Sequence, residues 1–390
     1  MADILQPNLK MNKQPDPNDN IQGEVSKAAE QIYTASQTRL VLLRLFKHKL
    51  AILGMAILVI FYLTAIFAPF LTTNDPQGYF DAFTYSPPQI PRFMDAHGWS
   101  FRPFYYVLDK KRDPVTLKMK YALNPDERAY LNFFVHGYPY KLFGLIDTDM
   151  HLFGGPKDVP LFIFGTDSSG RDLFSRNMYA ARISLTVGLV GVAITFVLGC
   201  LLGGLSGYYG GWVDILIQRI IELLMSIPML PLWMALSAAL PRDWSQLKLY
   251  FAITVILAIA GWTGLARVVR GKLMSLRTED YVTAAVISGV TDRRIILRHL
   301  LPGFTSYLII NITLSIPGMI LGETALSYLG LGLQPPTISW GVLLSDAQNI
   351  KTIALYPWVM IPGLFVIIAV LAFNFLGDGL RDAADPYKEA

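Results

Sequence analysis

Few residues in this 390-residue chain could make or break a bond. The five histidines are His48, His97, His136, His151 and His299, and none pairs with another at the spacing of metal ligands. Cys200 is the single cysteine and lies in the middle of an apolar run, which excludes an intrachain disulfide and leaves packing as its expected role. No GxxxxGK[ST] occurs. The nearest approach, Arg270-Gly271-Lys272-Leu273, lacks the leading glycine and the hydroxyl of a phosphate-cradling loop. The expectation is a chain with no catalytic residue, no metal site and no cofactor of its own.

What remains is the chemistry of recognition, and it concentrates in YVTAAVISGVTDRRIILRHLLPG, Tyr281 to Gly303. Thr278 is placed to cap a short helix whose opening turn carries Glu279 and Asp280, the sign that a helix N-terminus favours. That helix runs through Ala284 and Ala285, and Gly289 can stop it in a left-handed turn. Thr291 or Asp292 then caps a second helix, RRIILRHLL, which closes on Leu301-Pro302. Ala284, Ala285 and Gly289 have so little bulk that another backbone could approach closely, and Arg293, Arg294 and Arg298 offer charge to an acidic partner. Two readings stand at this point: a docking element for another protein, and a basic helix lying on anionic lipid headgroups.

The elements that would carry this segment are membrane spans. The chain is 53% hydrophobic and only 16% charged, too apolar for a soluble protein around one core, and nothing suggests nucleic-acid binding. A spanning helix needs about 20 mostly apolar residues. Six segments qualify: Leu50–Phe70, Leu185–Leu205, Trp212–Leu240, Tyr250–Ala266, Tyr307–Leu326 and Tyr356–Leu376. The third contains SIPMLP, where Pro228 and Pro231 predict a kink or break. Basic residues crowd the segment before the first span, the loop between the fourth and fifth (Arg267, Arg270, Lys272, Arg277, Arg293, Arg294, Arg298) and the C-terminal tail, which predicts that these and both termini are cytoplasmic.

Within the spans, Gly199, Gly203, Gly207 and Gly211 recur every four residues, a stripe on which a helix of a partner subunit or of the same chain could pack. Glu222 and Glu323 are intramembrane carboxylates and candidates to line a translocation path, although Arg219 stands three residues from Glu222 and could simply pair with it. A charged relay and internal repeats, expected of an ion-coupled carrier, are not seen.

The spacing AA-x3-G-x9-H-x-LP, on Ala284, Ala285, Gly289, His299, Leu301 and Pro302, resembles the EAA loop of bacterial ABC importer permeases, with Thr283 where the motif has Glu and His299 where it has Ile. FGTDSSGRDLFSRNMYAARISLTVG, with Gly165, Asp167, Gly170, Arg171, Asp172, Ser175 and Arg176, is similar to the segment before the second span of C-type permeases of oligopeptide and dipeptide importers. So are GYYGGWVD, GETALSYLGLGLQPP, SWG and FNFLGDGLRDAADP, and together they cover nearly all of the chain after Phe164. The resemblance implies an all-α polytopic membrane protein of the ABC importer type I permease fold with six transmembrane helices. It implies a second permease subunit, two cytoplasmic ATPases that use ATP and magnesium, an external peptide-binding protein, and a bacterial inner membrane. Coupling to the ATPases would then fall to Glu279, Tyr281, Ala284, Ala285, Gly289, Arg293, Arg294, Leu301 and Pro302.

The resulting organisation is a partly disordered cytoplasmic tail (1–49), a first span (50–70), a small folded external insert (72–163), a motif segment (164–184), a five-helix core (185–376) with the coupling loop at 267–304, and a cytoplasmic tail (377–390). The insert is the departure from the family pattern. Its prolines and aromatics, Pro87, Pro88, Pro91, Trp99, Phe101, Phe104, Tyr105 and Tyr106 among them, predict partly extended pieces of a small module. Docking the binding protein, covering the outer mouth, and no transport role at all remain open for it.

Overall fold

The computed structural model describes residues 37–95, 98–112, 114, 119–156, 159–241 and 243–385. Residues 1–36 of the tail expected to be partly disordered therefore lie outside the described residues. Helices α1 (Gln37–Leu45) and α2 (Lys49–Ile66) open the chain, and α3 (Ala68–Leu71) follows α2 across Phe67. Pro69 sits in the first turn of α3, where its missing N–H costs nothing, so the first span ends at Ile66 and the turn to Leu71 is a separate piece.

Helix α4 (Leu173–Tyr209) is followed by α5 (Gly211–Ser226), α6 (Met229–Ala238), α7 (Gln246–Leu276), α8 (Asp280–Ile287), α9 (Asp292–Arg294), α10 (Thr305–Tyr328), α11 (Trp340–Leu344), α12 (Ile350–Leu355) and α13 (Ile361–Ala384). Five of the described helices are long and apolar enough to cross a membrane, six if the bent pair α5–α6 counts as one. That pair turns by 89° at Ile227–Pro228, where the prolines led us to expect a break.

Two spans run well past the bounds that hydropathy predicts. Helix α4 begins at Leu173, twelve residues before Leu185, because Ser175, Arg176, Asn177 and Ser184 are buried against other parts of the chain and need no apolar surroundings. Helix α7 runs on past Ala266 to Leu276, so Arg267, Arg270 and Lys272 mark the end of the apolar run and not of the helix. The motif segment 164–184 is accordingly half loop and half helix.

The described residues between Arg92 and Gly154 are mostly strand, extended as their sequence predicts, so the all-α class applies to the helical remainder of the chain. An antiparallel sheet of order β1 (Arg92–Asp95), β2 (Gly98–Arg112), β3 (Met119–Tyr130) is followed by a hairpin of β4 (Asn132–Leu142) and β5 (Ile146–Gly154). Tyr105, Ala129, Leu131 and Leu161 form its small core. The main core lies among α2, α4, α7, α10, α11 and α13, with Phe61, Leu185, Leu257, Ile320, Trp340 and Phe373 at its centre. A second core gathers beneath α8.

Candidate coupling surface and its anchorage

Helix α8 is the best defined candidate surface. Glu279 is its N-cap in extended conformation, and Thr278, the expected cap, instead donates its hydroxyl to the Ser275 carbonyl. Gly289 has φ +73°, the left-handed turn expected of it, and nothing stands near where its Cβ would be. Val282 is buried and Ala285 half-buried, facing a core of Cys200, Leu265, Val269, Leu273, Ile295, Ile296, Leu300 and Leu308. The other face is open. Tyr281, Ala284, Val286 and Ile287 are exposed, Ile287 to 82%. Apolar side chains turned outward beside a small residue are what a docking surface for another protein presents.

The second helix of the segment is not separate from the fifth span, as the sequence suggested. The chain passes from α9 through a π turn at Ile295–Leu300 and a 3-10 turn at Leu301–Phe304 into α10. The cause is Pro302, which cannot donate and whose ring crowds the carbonyl four residues back; the π turn lets Leu301 N–H reach Ile296 O instead. Arg293, Arg294 and Arg298 are exposed around this bend.

What lies behind the surface is closely packed. A Cβ on Gly203 would stand 2.5 Å from Ala266 O and one on Gly207 2.6 Å from Arg270 O, so α4 and α7 meet backbone to backbone there, while Gly199 makes room for the Leu265 side chain. The stripe is thus an intrachain contact. Gly211 is not part of it: at φ +56° it opens α5 with nothing within 4 Å. The ends of the helices are tied by Arg270, whose Nε and Nη2 each donate to Asp214 at 2.5 Å, and by Ser206 Oγ, which donates to the same carboxylate at 2.5 Å. Tyr208 donates to Asp292 at 2.8 Å and Arg277 to Tyr208 O at 3.3 Å, linking the end of α4 to the loop itself. Sequence reasoning missed this clamp; Asp214 stood in the quoted GYYGGWVD, but no local signal pairs it with Arg270, 56 residues on.

The motif before the second span forms the opposite kind of site. Asp167 Oδ1 accepts from Ser169 N and Arg171 N, and its Oδ2 accepts from Arg171 Nε at 2.8 Å, with Arg176 Nε 3.8 Å away. Asp172 caps α4, accepting from Phe174 N and Ser175 N, from Ser175 Oγ at 2.5 Å and from Asn74 Nδ2 at 3.2 Å. Burial pushes the Asp172 carboxyl above the usual range, and these donors pull the other way. Gly165 and Gly170, at φ +74° and +73°, lie against Ser86 O and Phe80 O, where a Cβ would not fit.

The two intramembrane glutamates part company. Glu222 is exposed and paired with Arg219 at 2.7 Å, the local pairing that its spacing allowed. Glu323 has no exposure at all. Ser327 and Ser339 donate to its Oε1 at 2.7 Å and Ser184 to its Oε2 at 3.4 Å. Each serine also accepts a backbone N–H, from Leu333, Val342 and Trp340 respectively. This is the geometry of a clamp joining α4, α10 and the loop into α11 through a fully buried carboxylate.

Fold and site together define a polytopic helical membrane protein in which a short helix, packed on the protein's own spans, leaves an apolar face exposed. A family model described as the binding-protein-dependent transport system inner membrane component matches residues 182–388, over half of the chain, and this chain belongs to that family. A second model, the N-terminal TM domain of oligopeptide transport permease C, matches residues 36–88. The chain is 40% identical over 242 residues to the oligopeptide transport system permease protein OppC of Haemophilus influenzae (62% of this chain, 75% of that one). It is 41% identical over 225 residues to the dipeptide transport system permease protein DppC of Bacillus subtilis (57% and 68%). The glutathione transport system permease protein GsiD of Pectobacterium atrosepticum is 39% identical over 249 residues (64% and 79%).

Proposed function

We propose that this chain is one of two permease subunits of an ATP-driven importer of oligopeptides or dipeptides in the bacterial inner membrane. Both termini are cytoplasmic, a solute-binding protein delivers cargo outside, and two ATPases that use ATP and magnesium dock below. The single observation that carries the coupling role is α8: an exposed small-and-apolar face, held from behind by the core that joins α4, α7 and α10. A displacement of α8 by an ATPase would move those spans as a body, and differential contact in two ATPase states would bias the permease between two conformations. Glu279, Tyr281, Ala284, Ala285, Gly289, Arg293 and Arg294 surround the contact, while Leu301 and Pro302 shape the bend behind it.

Peptide cargo is supported by the oligopeptide and dipeptide names of the relatives. The alternative is a related importer of another small solute, such as nickel or an opine. Ala284→Trp tests the coupling. Ala284 is exposed, so the fold should survive, while co-purification of the ATPases and ATP-dependent peptide uptake in vesicles should both be lost. Uptake that persists, or that follows an ion gradient without ATP, rejects the reading.

A further inference from the structure

The β4–β5 hairpin descends along the outer surface of the spans, and its order of contacts gives the direction. Near its base Phe153 packs on Phe174, the second residue of α4, with ring centroids 5.9 Å apart. Farther along, His151 Nδ1 lies 2.9 Å from Pro69 O, and Tyr138 OH lies 3.4 Å from Tyr179 OH, five residues deeper on α4 than Phe174. At the tip Phe143 meets Phe67 edge-on at 5.6 Å. Phe67 caps the end of α2, level with Arg182 of α4, whose guanidinium donates to Ala65 O and Ile66 O. From base to tip the contacts on α4 therefore move from residue 174 to 179 to the level of 182, always toward the middle of the span.

The tip itself is apolar and bare. Phe143, Leu145 and Ile146 are 55%, 84% and 58% exposed. Phe143 holds φ +54°, a left-handed conformation that an aromatic residue seldom adopts, and that turn sets its ring on Phe67. Leu63, one helical turn before Phe67 on the same face of α2, is itself 48% exposed on a helix long and apolar enough to cross a membrane, so the surface on which the tip lands is an exposed apolar one. Lys141 and Asp147, paired at 3.5 Å and well exposed, flank the apolar turn. An apolar turn between charged shoulders and beside Tyr138, Tyr140 and Tyr179 is the composition of a segment seated where headgroups meet acyl chains.

We infer that the hairpin tip, Phe143 to Ile146, is inserted into the bilayer in the leaflet where α2 ends, so that lipid is the partner that covers it. The β-module is thereby held by the membrane as well as by the chain, which fixes its angle over the permease. The test uses the full chain in vesicles of phosphatidylethanolamine and phosphatidylglycerol, with Cys200→Ala and an environment-sensitive fluorophore on Leu145→Cys. A label on Phe101→Cys, at a position 86% exposed on β2, serves as the reference. The Leu145 label should emit to the blue of the Phe101 label and be quenched progressively as lipid brominated near the ester end of its acyl chains replaces ordinary lipid. Emission like that of the Phe101 label overturns the inference, because the tip is then in water. A blue-shifted label that brominated lipid does not quench overturns it too, because protein and not lipid then covers the tip.

Discussion

The two ends of this molecule handle polar and apolar side chains in opposite ways. In the assembly built from the 164–176 motif, Glu323 and the loop into α11, polar groups are turned inward: Asp167, Asp172 and Glu323 are all buried with donors on their oxygens. On α8 the apolar groups are turned outward, Tyr281, Val286 and Ile287 all being exposed. Both stretches stand out in the sequence as motifs. The first uses its distinctive residues to close upon itself and the second leaves them free, so one specifies architecture and the other offers contact.

If that contrast holds, substitutions at buried, inward-turned positions cost stability and those on the exposed face of α8 cost only function. The largest loss is expected for Glu323→Ala, which strands three buried serine hydroxyls. At about 1–3 kcal/mol for each unsatisfied group with partial relaxation, a loss of about 3–5 kcal/mol is expected, read as a fall in the thermal midpoint of the detergent-solubilised chain. A midpoint within a degree or so of the parent, on the order of what a surface change gives, would break the contrast. Gly203→Val comes next. Its side chain would meet Ala266 O and Val269, and overpacking of this kind costs about 1–3 kcal/mol, with α4 and α7 forced apart. Asp172→Ala removes an N-cap as well as the bonds to Asn74, for a cost of about 1–2 kcal/mol.

On α8 the order inverts. Ala284→Trp should change the thermal midpoint by no more than a surface substitution does, within about 0.5 kcal/mol, while abolishing uptake. Ala285→Trp sharpens the comparison from the other side. Ala285 is half-buried against the core beneath α8, so the same bulky ring there should lower stability and uptake together. Two neighbouring alanines, alike in sequence, are expected to separate the two kinds of cost.

The parts of this structure legible in the sequence are those set by local pattern. The left-handed turn at Gly289, the break at Pro228 and the apolar cores of the spans follow from residue type and period. The rest depends on partners distant in the chain. Helix α4 extends back to Leu173 with polar residues buried against segments distant in the chain, and its cap Asp172 also holds Asn74, some hundred residues earlier. Arg270 looked like a residue marking the membrane boundary until α5 brought Asp214 to it. The strands of residues 92–154 were visible as extended, aromatic-rich pieces, but their pairing across registers such as Phe104↔Tyr130 was not, since nothing local specifies it. Hydropathy also treated Glu222 and Glu323 as equivalents, because a one-dimensional scale does not register whether a carboxylate meets serines or open space.

That pair gives the smallest expected effect and the finest test. Arg219 and Glu222 are 77% and 52% exposed at the side chain, on a helix from which only Ile217 and Ile221 are buried, while Trp212, Ile215, Leu216 and Leu223 all point away from the chain. An exposed pair three residues apart is worth about 0.2–0.5 kcal/mol, so Glu222→Gln should leave the isolated subunit's midpoint nearly where it was. Within the proposed heterodimer the same face of α5 would be covered by the second permease, and the pair would then sit out of water. Loss of one member strands the other there, which costs more than the pair's own attraction. The expected result is an unchanged isolated subunit with weaker retention of the second permease during co-purification. Unchanged retention would mean that α5 faces lipid or water in the complex, and that its apolar face belongs with neither the closed assembly nor the docking surface.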